Sequence, residues 1–402
     1  MVVRDHNWGS RQNGYWRRVL RSVVLTSSLA ALLVGASGVR ALAEEVLITG
    51  GQGKLVCDEC SDTLNVAEVF NTKTGKFREL KHKMKVPRES HTQTTLGRGG
   101  FLIAGGFDDT GNATATAEVF KNGKFKAVGN MSSPRAAHSA TRLKGGKVLI
   151  CGGENDVGTI LDTCDIYNPK SQTFTPTANN MTIPRQDHTA TLLDGGLVLI
   201  AGGQIPPFFD ATPTAEVYDP ALDTFTATTN DMSDPRTSFA ASLLPNGSVI
   251  LTGGFDSGFG DDALDTADLY DPGTNSFTAA PNMNEFREDH TSTALENDTV
   301  LICGGEDKSD SSDTSSFHNG CEIYDPVANT FTDTVNPMTE HRGSHQAVLL
   351  ESGSVLIIGG VEESDANITA EIYHPKKDTF TPTGSMHQSR SDFGAGSASR
   401  EK

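Results

Sequence analysis

The chain has 402 residues, with 33 basic side chains against 51 acidic ones and a formal net charge of −18 at pH 7. A surface that acidic repels phosphate, which sets nucleic acid and anionic membranes aside as partners. Six cysteines, an even number, fit a chain that folds in an oxidising compartment.

At the N-terminus, Arg11, Arg17, Arg18 and Arg21 lead into the apolar run "VVLTSSLAALLVGASGV", and "ALA" follows at Ala41–Ala43. A charged region, a short greasy run and a small-x-small site form a secretory signal peptide, with cleavage expected after Ala43. Residues 1–43 are therefore expected to be a signal, and 44–402 an exported domain in the periplasm or outside the cell. Membrane attachment would arise only through an uncleaved signal. Ser27, Ser28, Gly35, Ser37 and Gly38 make the run a poor span for a bilayer that needs roughly 20 apolar residues. Removing six Arg and one Asp with that segment leaves 27 basic and 50 acidic residues, a formal charge of −23. Both tryptophans, Trp8 and Trp16, leave with it.

From Glu44 onward one unit repeats. Paired glycines stand at Gly50-Gly51, Gly105-Gly106, Gly152-Gly153, Gly202-Gly203, Gly253-Gly254, Gly304-Gly305 and Gly359-Gly360. Their period of about 50 residues in a β-rich chain points to propeller blades. Each unit carries four strand-like pieces, typified by "HTATLL" (His188–Leu193), "LVLIAGG" (Leu197–Gly203), "AEVYDP" (Ala215–Pro220) and "TFTAT" (Thr224–Thr228). All are rich in β-branched and apolar residues and bounded by Gly, Asp, Asn or Pro turns, and no stretch keeps a helical period. An aromatic recurs in the third strand (Phe70, Phe120, Tyr167, Tyr218, Tyr270, Tyr324, Tyr373), followed by Phe77, Phe125, Phe174, Phe225, Phe277, Phe331 and Phe380. Rings at fixed places on neighbouring strands are expected to fill the core.

Two glycines, a downstream Tyr, a second aromatic and a Pro-Arg loop together resemble the Kelch-repeat family across residues 44–397. Phe replaces the family's usual Trp throughout the outer strand. The resemblance implies an all-β, seven-bladed propeller with four antiparallel strands per blade. The mature chain begins at a second strand, "VLITGG" (Val46–Gly51), and ends on "RSDFGAGSAS" (Arg390–Ser399), which matches a first strand. The C-terminal strand is therefore expected to join the N-terminal blade and leave no open edge.

Cys151 and Cys164 precede the glycine pair and start the third strand, and Cys303 and Cys321 hold the same places three units later. Other units have small residues at both places, such as Ala201 and Ala215, so the two positions are expected to face each other and bond. Cys57 and Cys60 form "CDEC" in a loop. A helix beside a βαβ unit, the usual setting of a redox pair, is missing, so a loop-closing disulfide is expected.

The connections from second to third strand vary most in length and composition. They are dense in Asp and Glu and carry aromatics expected to be exposed: Phe107, Phe208, Phe209, Phe255, Phe259 and Phe317. Such a rim suits a protein partner or a small polar ligand. Carboxylates such as Asp108, Asp109, Asp256, Asp261 and Asp262 could hold calcium, but no D-x-D-x-D-G spacing supports it, and a solvated acidic face is the simpler reading. No cofactor or metal is expected, and a monomer is.

An arginine recurs in every unit: Arg88, Arg135, Arg185, Arg236, Arg287, Arg342 and Arg390. It reads either as positive charge at the channel mouth or, being present in all seven units, as part of the blade that satisfies loop carbonyls. Three residues on stands His91, His138, His188, His290 or His345, replaced by Phe239 and Phe393. That exchange argues for a flat packing ring over a metal ligand. The two residues between Arg and this ring differ from unit to unit: Glu89-Ser90, Ala136-Ala137, Gln186-Asp187, Thr237-Ser238, Glu288-Asp289, Gly343-Ser344 and Ser391-Asp392. The candidate ligand-binding set is thus Glu89, Arg135, Arg185, Asp187, Arg236, Arg287, Glu288, Asp289, Phe208 and Phe209.

Two enzyme classes sharing the Kelch propeller bear on function. Galactose oxidase needs copper held by tyrosines and histidines, with one tyrosine crosslinked to a cysteine. Here every mature tyrosine occupies the repeated core place and every cysteine has a partner in view. A secreted sialic-acid mutarotase would need an acid/base pair near the channel, which Glu89, Asp187, Glu288 or Asp289 could supply. No one of these carboxylates stands apart in the sequence, so a non-catalytic binding propeller is the favoured reading and the sugar-active enzyme the alternative.

Overall fold

A computed structural model describes residues 44–53, 63–97, 99–257, 262–307, 316–362 and 365–397. Seven four-stranded antiparallel sheets and four short two-stranded hairpins hold the described strands. The unit around residue 200 is typical: Thr189–Leu192, Val198–Ala201, Ala215–Asp219 and Thr224–Ala227 pair in chain order. The strand boundaries follow the sequence. Gly195-Gly196 turns the first strand into the second, and Asp219-Pro220 turns the third into the fourth.

Blades are numbered here by glycine pair, from blade 1 at Gly50-Gly51 to blade 7 at Gly359-Gly360. Their first strands stand side by side in a closed ring around the axis. Blade 1 takes its first strand from the far end of the chain: Gly394–Ser397 pairs with Glu45–Thr49, setting Gly394 opposite Thr49 and Ser397 opposite Val46. The seven-bladed propeller closed by its C-terminal strand is therefore as the sequence predicts.

The second strand of each blade is buried on both faces because a neighbouring blade covers each side. That explains why "VLIC", "VLIA" and "VLII" are continuous apolar runs rather than alternating ones. The fourth strand is the outer one and leaves at least half of its residues exposed. Between third and fourth strands the repeated aromatics stack in tilted pairs, from Phe70–Phe77 at 4.8 Å to Tyr270–Phe277 at 5.2 Å between centroids. Each such pair contributes about 0.5–1.5 kcal/mol beyond its buried area.

Cys151 lies opposite Cys164, and Cys303 opposite Cys321, on adjacent strands, and both pairs are bonded. Cys57 and Cys60 fall outside the described residues. Among the described residues no helix is long and apolar enough to cross a membrane.

Candidate functional site at the channel mouth

The connections from second to third strand and from fourth to next first strand meet on one face, and the arginine shows how. In blade 3, Arg135 donates from Nη1 to Gly152 O at 2.7 Å and to Thr163 O at 2.9 Å, while Nη2 meets Asp165 Oδ2 at 3.2 Å. Arg236 repeats this on Gly253 O at 2.7 Å and Asp268 at 2.9 Å, and Arg287 on Gly304 O at 2.7 Å and Glu322 at 3.1 Å. Arg185 does so on Gly202 O at 2.7 Å and Glu216 at 3.4 Å. All four guanidinium groups are fully buried. These candidate ligand residues are committed to the scaffold, because turning one toward a ligand would strand a buried carboxylate.

Those carboxylates are the residues that sequence reasoning passed over. Glu68, Glu118, Asp165, Glu216, Asp268, Glu322 and Glu371 sit second in the third strand of each blade, all buried. Each also accepts a backbone N–H just past the repeated methionine, as Glu216 does from Thr182 at 2.8 Å and Glu371 from Thr339 at 2.9 Å. The signal was present in "AEVY", "CDIY" and "CEIY": an acid at one register in seven copies of an otherwise apolar strand.

The paired glycines complete the joint. Gly152 and Gly153 have φ of 64° and 87°, where a side chain is strained, and a Cβ on either would run into a carbonyl, of Arg185 and Ala136 respectively. The Gly153 N–H donates to Arg185 O at 2.9 Å, binding blade 3 to blade 4. The histidine rings press on the same glycines: His188 Cε1 would lie 2.8 Å from a Cβ at Gly152. Phe239 fills that place over Gly202, so the position accepts either flat ring. Burial first, then the adjacent arginines, pull His91, His188 and His290 down to about 3, which keeps the imidazoles neutral. His188 Nε2 meets Ser139 Oγ at 2.8 Å across the blade junction.

Inside this joint lies a narrower ring. The residue before each His or Phe is left-handed in all seven blades, with φ between 48° and 54°: Ser90, Ala137, Asp187, Ser238, Asp289, Ser344 and Asp392. Short polar side chains tolerate that conformation best, which suits Ser and Asp. Backbone bonds pass from blade to blade along it. Ser90 N–H reaches Asp392 O at 3.0 Å, Ala137 N–H reaches Ser90 O at 3.2 Å, and Asp187 N–H reaches Ala137 O at 3.0 Å. Asp289 N–H reaches Ser238 O at 2.9 Å, and Ser344 N–H reaches Asp289 O at 3.0 Å. The residue before each ring member pairs with the one after the glycine pair, as Glu89 does with Phe107 and Glu288 with Glu306.

Of the expected site residues, the structure thus brings Asp187 and Asp289 to one ring, together with Asp392. Glu89 and Glu288 lie one residue earlier in the chain and are buried. Asp187 is only 4% exposed. Burial, then the charges of Glu154, Asp289 and Asp392, push its carboxyl well above the usual carboxylate range.

Phe208 stands apart and exposed, near the tip of the hairpin made by Gln204–Ile205 and Asp210–Ala211, with Phe209 half-buried beside it. Phe107 and Phe255 depart from the expected exposed rim. Both are buried, with their backbones paired to Glu89 and Thr237, and the Phe107 side chain packs with Ala113 and Ala136. Phe259 is outside the described residues, and Phe317 is half-buried. Among the described residues no three His, Cys, Asp or Glu side chains converge closely enough to hold a metal ion.

With the blades, glycine pairs and arginine joints in place, comparison with known proteins is direct. The Kelch motif matches residues 135–181 and 236–284. The chain is a Kelch-repeat β-propeller. No curated protein sequence matches it. Among solved structures, this Kelch propeller is similar to that of YjhT, with a TM-score of 0.58 and 14% identity over 74% of this chain and 98% of that one. It is also similar to a fungal alcohol oxidase of the AA5 family in complex with copper, with a TM-score of 0.62 and 18% identity over 79% of this chain and 67% of that one. At such identities the likeness is one of fold alone. The described tyrosines, Tyr167, Tyr218, Tyr270, Tyr324 and Tyr373, are all buried in the stacked core pairs, which does not fit them to a copper centre.

Proposed function

We propose that this Kelch propeller is an exported, non-catalytic binding protein that takes a protein surface or small polar ligand at the face around its channel mouth. One observation carries the reading. The arginine, the glycine pair and a buried acid of the blade joint recur in all seven blades, while the left-handed ring and the residue before it change from blade to blade and sit together on one rim. A scaffold that holds its geometry constant while varying the side chains at one rim is built for recognition. The two disulfides and the signal-like residues 1–43 support export through an oxidising compartment.

A second reading, a sugar-active enzyme using mouth carboxylates as acid and base, draws on Asp187. A buried carboxyl whose pKa stands well above the ordinary value is suited to proton transfer. A thermal-shift screen of residues 44–402 against acidic sugars, calcium and basic peptides tests both, because a ligand selective for the native state raises its melting temperature. Binding that Ala at Glu288 and Asp289 abolishes, with the melting temperature nearly unchanged, supports the binding propeller. Turnover of a sugar, lost in Asp187→Asn, would replace that reading with the enzyme. Unfolding of both alanine variants would assign those residues to the scaffold.

A further inference from the structure

We infer that the channel mouth recognises an organic cation, an ammonium or guanidinium group seated on the axis among Asp187, Asp289 and Asp392. The inference rests on the binding reading above and names its ligand class. The three aspartates belong to blades 4, 6 and 1, so gaps of two, two and three blades separate them around the ring. They surround the axis rather than crowd one side of it. The ring positions between them hold Ser90, Ala137, Ser238 and Ser344, all small.

Acceptors outnumber donors at this ring. Asp187 Oδ1 is buried without a hydrogen-bond partner, in a residue only 4% exposed. A buried acceptor in that state is unfavourable until a donor reaches it. The charges that act on Asp187 are all carboxylates, Glu154, Asp289 and Asp392, because the nearby arginines spend their guanidinium groups on the joints between strands. A ligand that relieves this ring must therefore bring both positive charge and N–H donors.

An organic cation fits better than a bare metal ion. No three carboxylates among the described residues close to metal-binding range, whereas ammonium and guanidinium groups present several outward donors to acceptors set farther apart. An anionic ligand would meet the same repulsion that already acts on Asp187.

The test is calorimetric titration of residues 44–402 with four probes at matched ionic strength: agmatine, spermidine, calcium chloride and glucuronate. Asp187→Asn and Asp289→Asn are measured alongside, each nearly isosteric and each checked for an intact fold by circular dichroism. Agmatine or spermidine should bind, lose about tenfold or more in affinity in each variant, and weaken as salt rises. Calcium binding more tightly than both amines, or amine binding unchanged in both variants, overturns the inference. Glucuronate binding that the two variants abolish would overturn the cation assignment and leave the binding reading standing. Silence from all four probes would count against both.

Discussion

Arg287 and Asp289 are two residues apart in the chain and belong to different parts of the molecule's logic. The arginine is fully buried, bonded to Gly304 and paired with Glu322, and its equivalents do the same in all seven blades. The aspartate is half-buried, and its equivalents are Ser, Ala or Asp. Recurrence therefore marks the joint, and variation at a fixed backbone geometry marks the rim. A residue type suited to ligand binding is a weaker guide than whether its position repeats.

The contrast breaks most visibly in stability. Arg236→Ala should leave Asp268 buried and unpaired and cost about 3–5 kcal/mol in urea unfolding, whereas Asp289→Ala should stay within about 0.5 kcal/mol. Equal losses would erase the distinction between joint and rim. Replacing Cys151 and Cys164 together by Ala, the pair found at Ala201 and Ala215, should cost about 3 kcal/mol by freeing the unfolded chain.

The histidines sharpen the contrast through pH. His91, His188 and His290 stay neutral in the fold to about pH 3, while the unfolded chain takes up protons below 6.5. Stability should therefore fall as pH drops below 6.5, by about 1.4 kcal/mol per pH unit for each imidazole once the unfolded form is protonated. His188→Phe, copying Phe239, should flatten the measured slope by one proton's worth. A slope that does not change would remove His188 from the neutral buried set.

Asp187 acts in the opposite sense. Its folded pKa lies above the unfolded 3.8, so the native state holds a proton that the unfolded chain has shed, and the fold loses stability as pH rises through that window. Asp187→Asn should raise the melting temperature at pH 7. A fall would show that the carboxylate is instead a stabilising partner in the ring.

Much of this was legible in the sequence. The seven glycine pairs fixed the blade count, the orphan "RSDFGAGSAS" announced the closing strand, and the Cys151/Cys164 and Cys303/Cys321 places revealed their bonds, because each feature reads from one dimension. The site was harder. The arginine's carboxylate partner lies about 30 residues downstream on another strand, so its role shows only when both are placed together. The burial of Phe107 and Phe255 was likewise hidden, since composition cannot say which side of a loop meets the neighbouring blade. The convergence of Asp187, Asp289 and Asp392 needs the closed ring, because about 200 residues separate the first from the last.

The most direct measurement is a crystal structure of residues 44–402 grown with agmatine. The account predicts density on the channel axis within hydrogen-bond reach of Asp187 and Asp289, with the arginine joints undisturbed. Density confined to the outer hairpins or the opposite face, with the aspartate ring untouched, would contradict it.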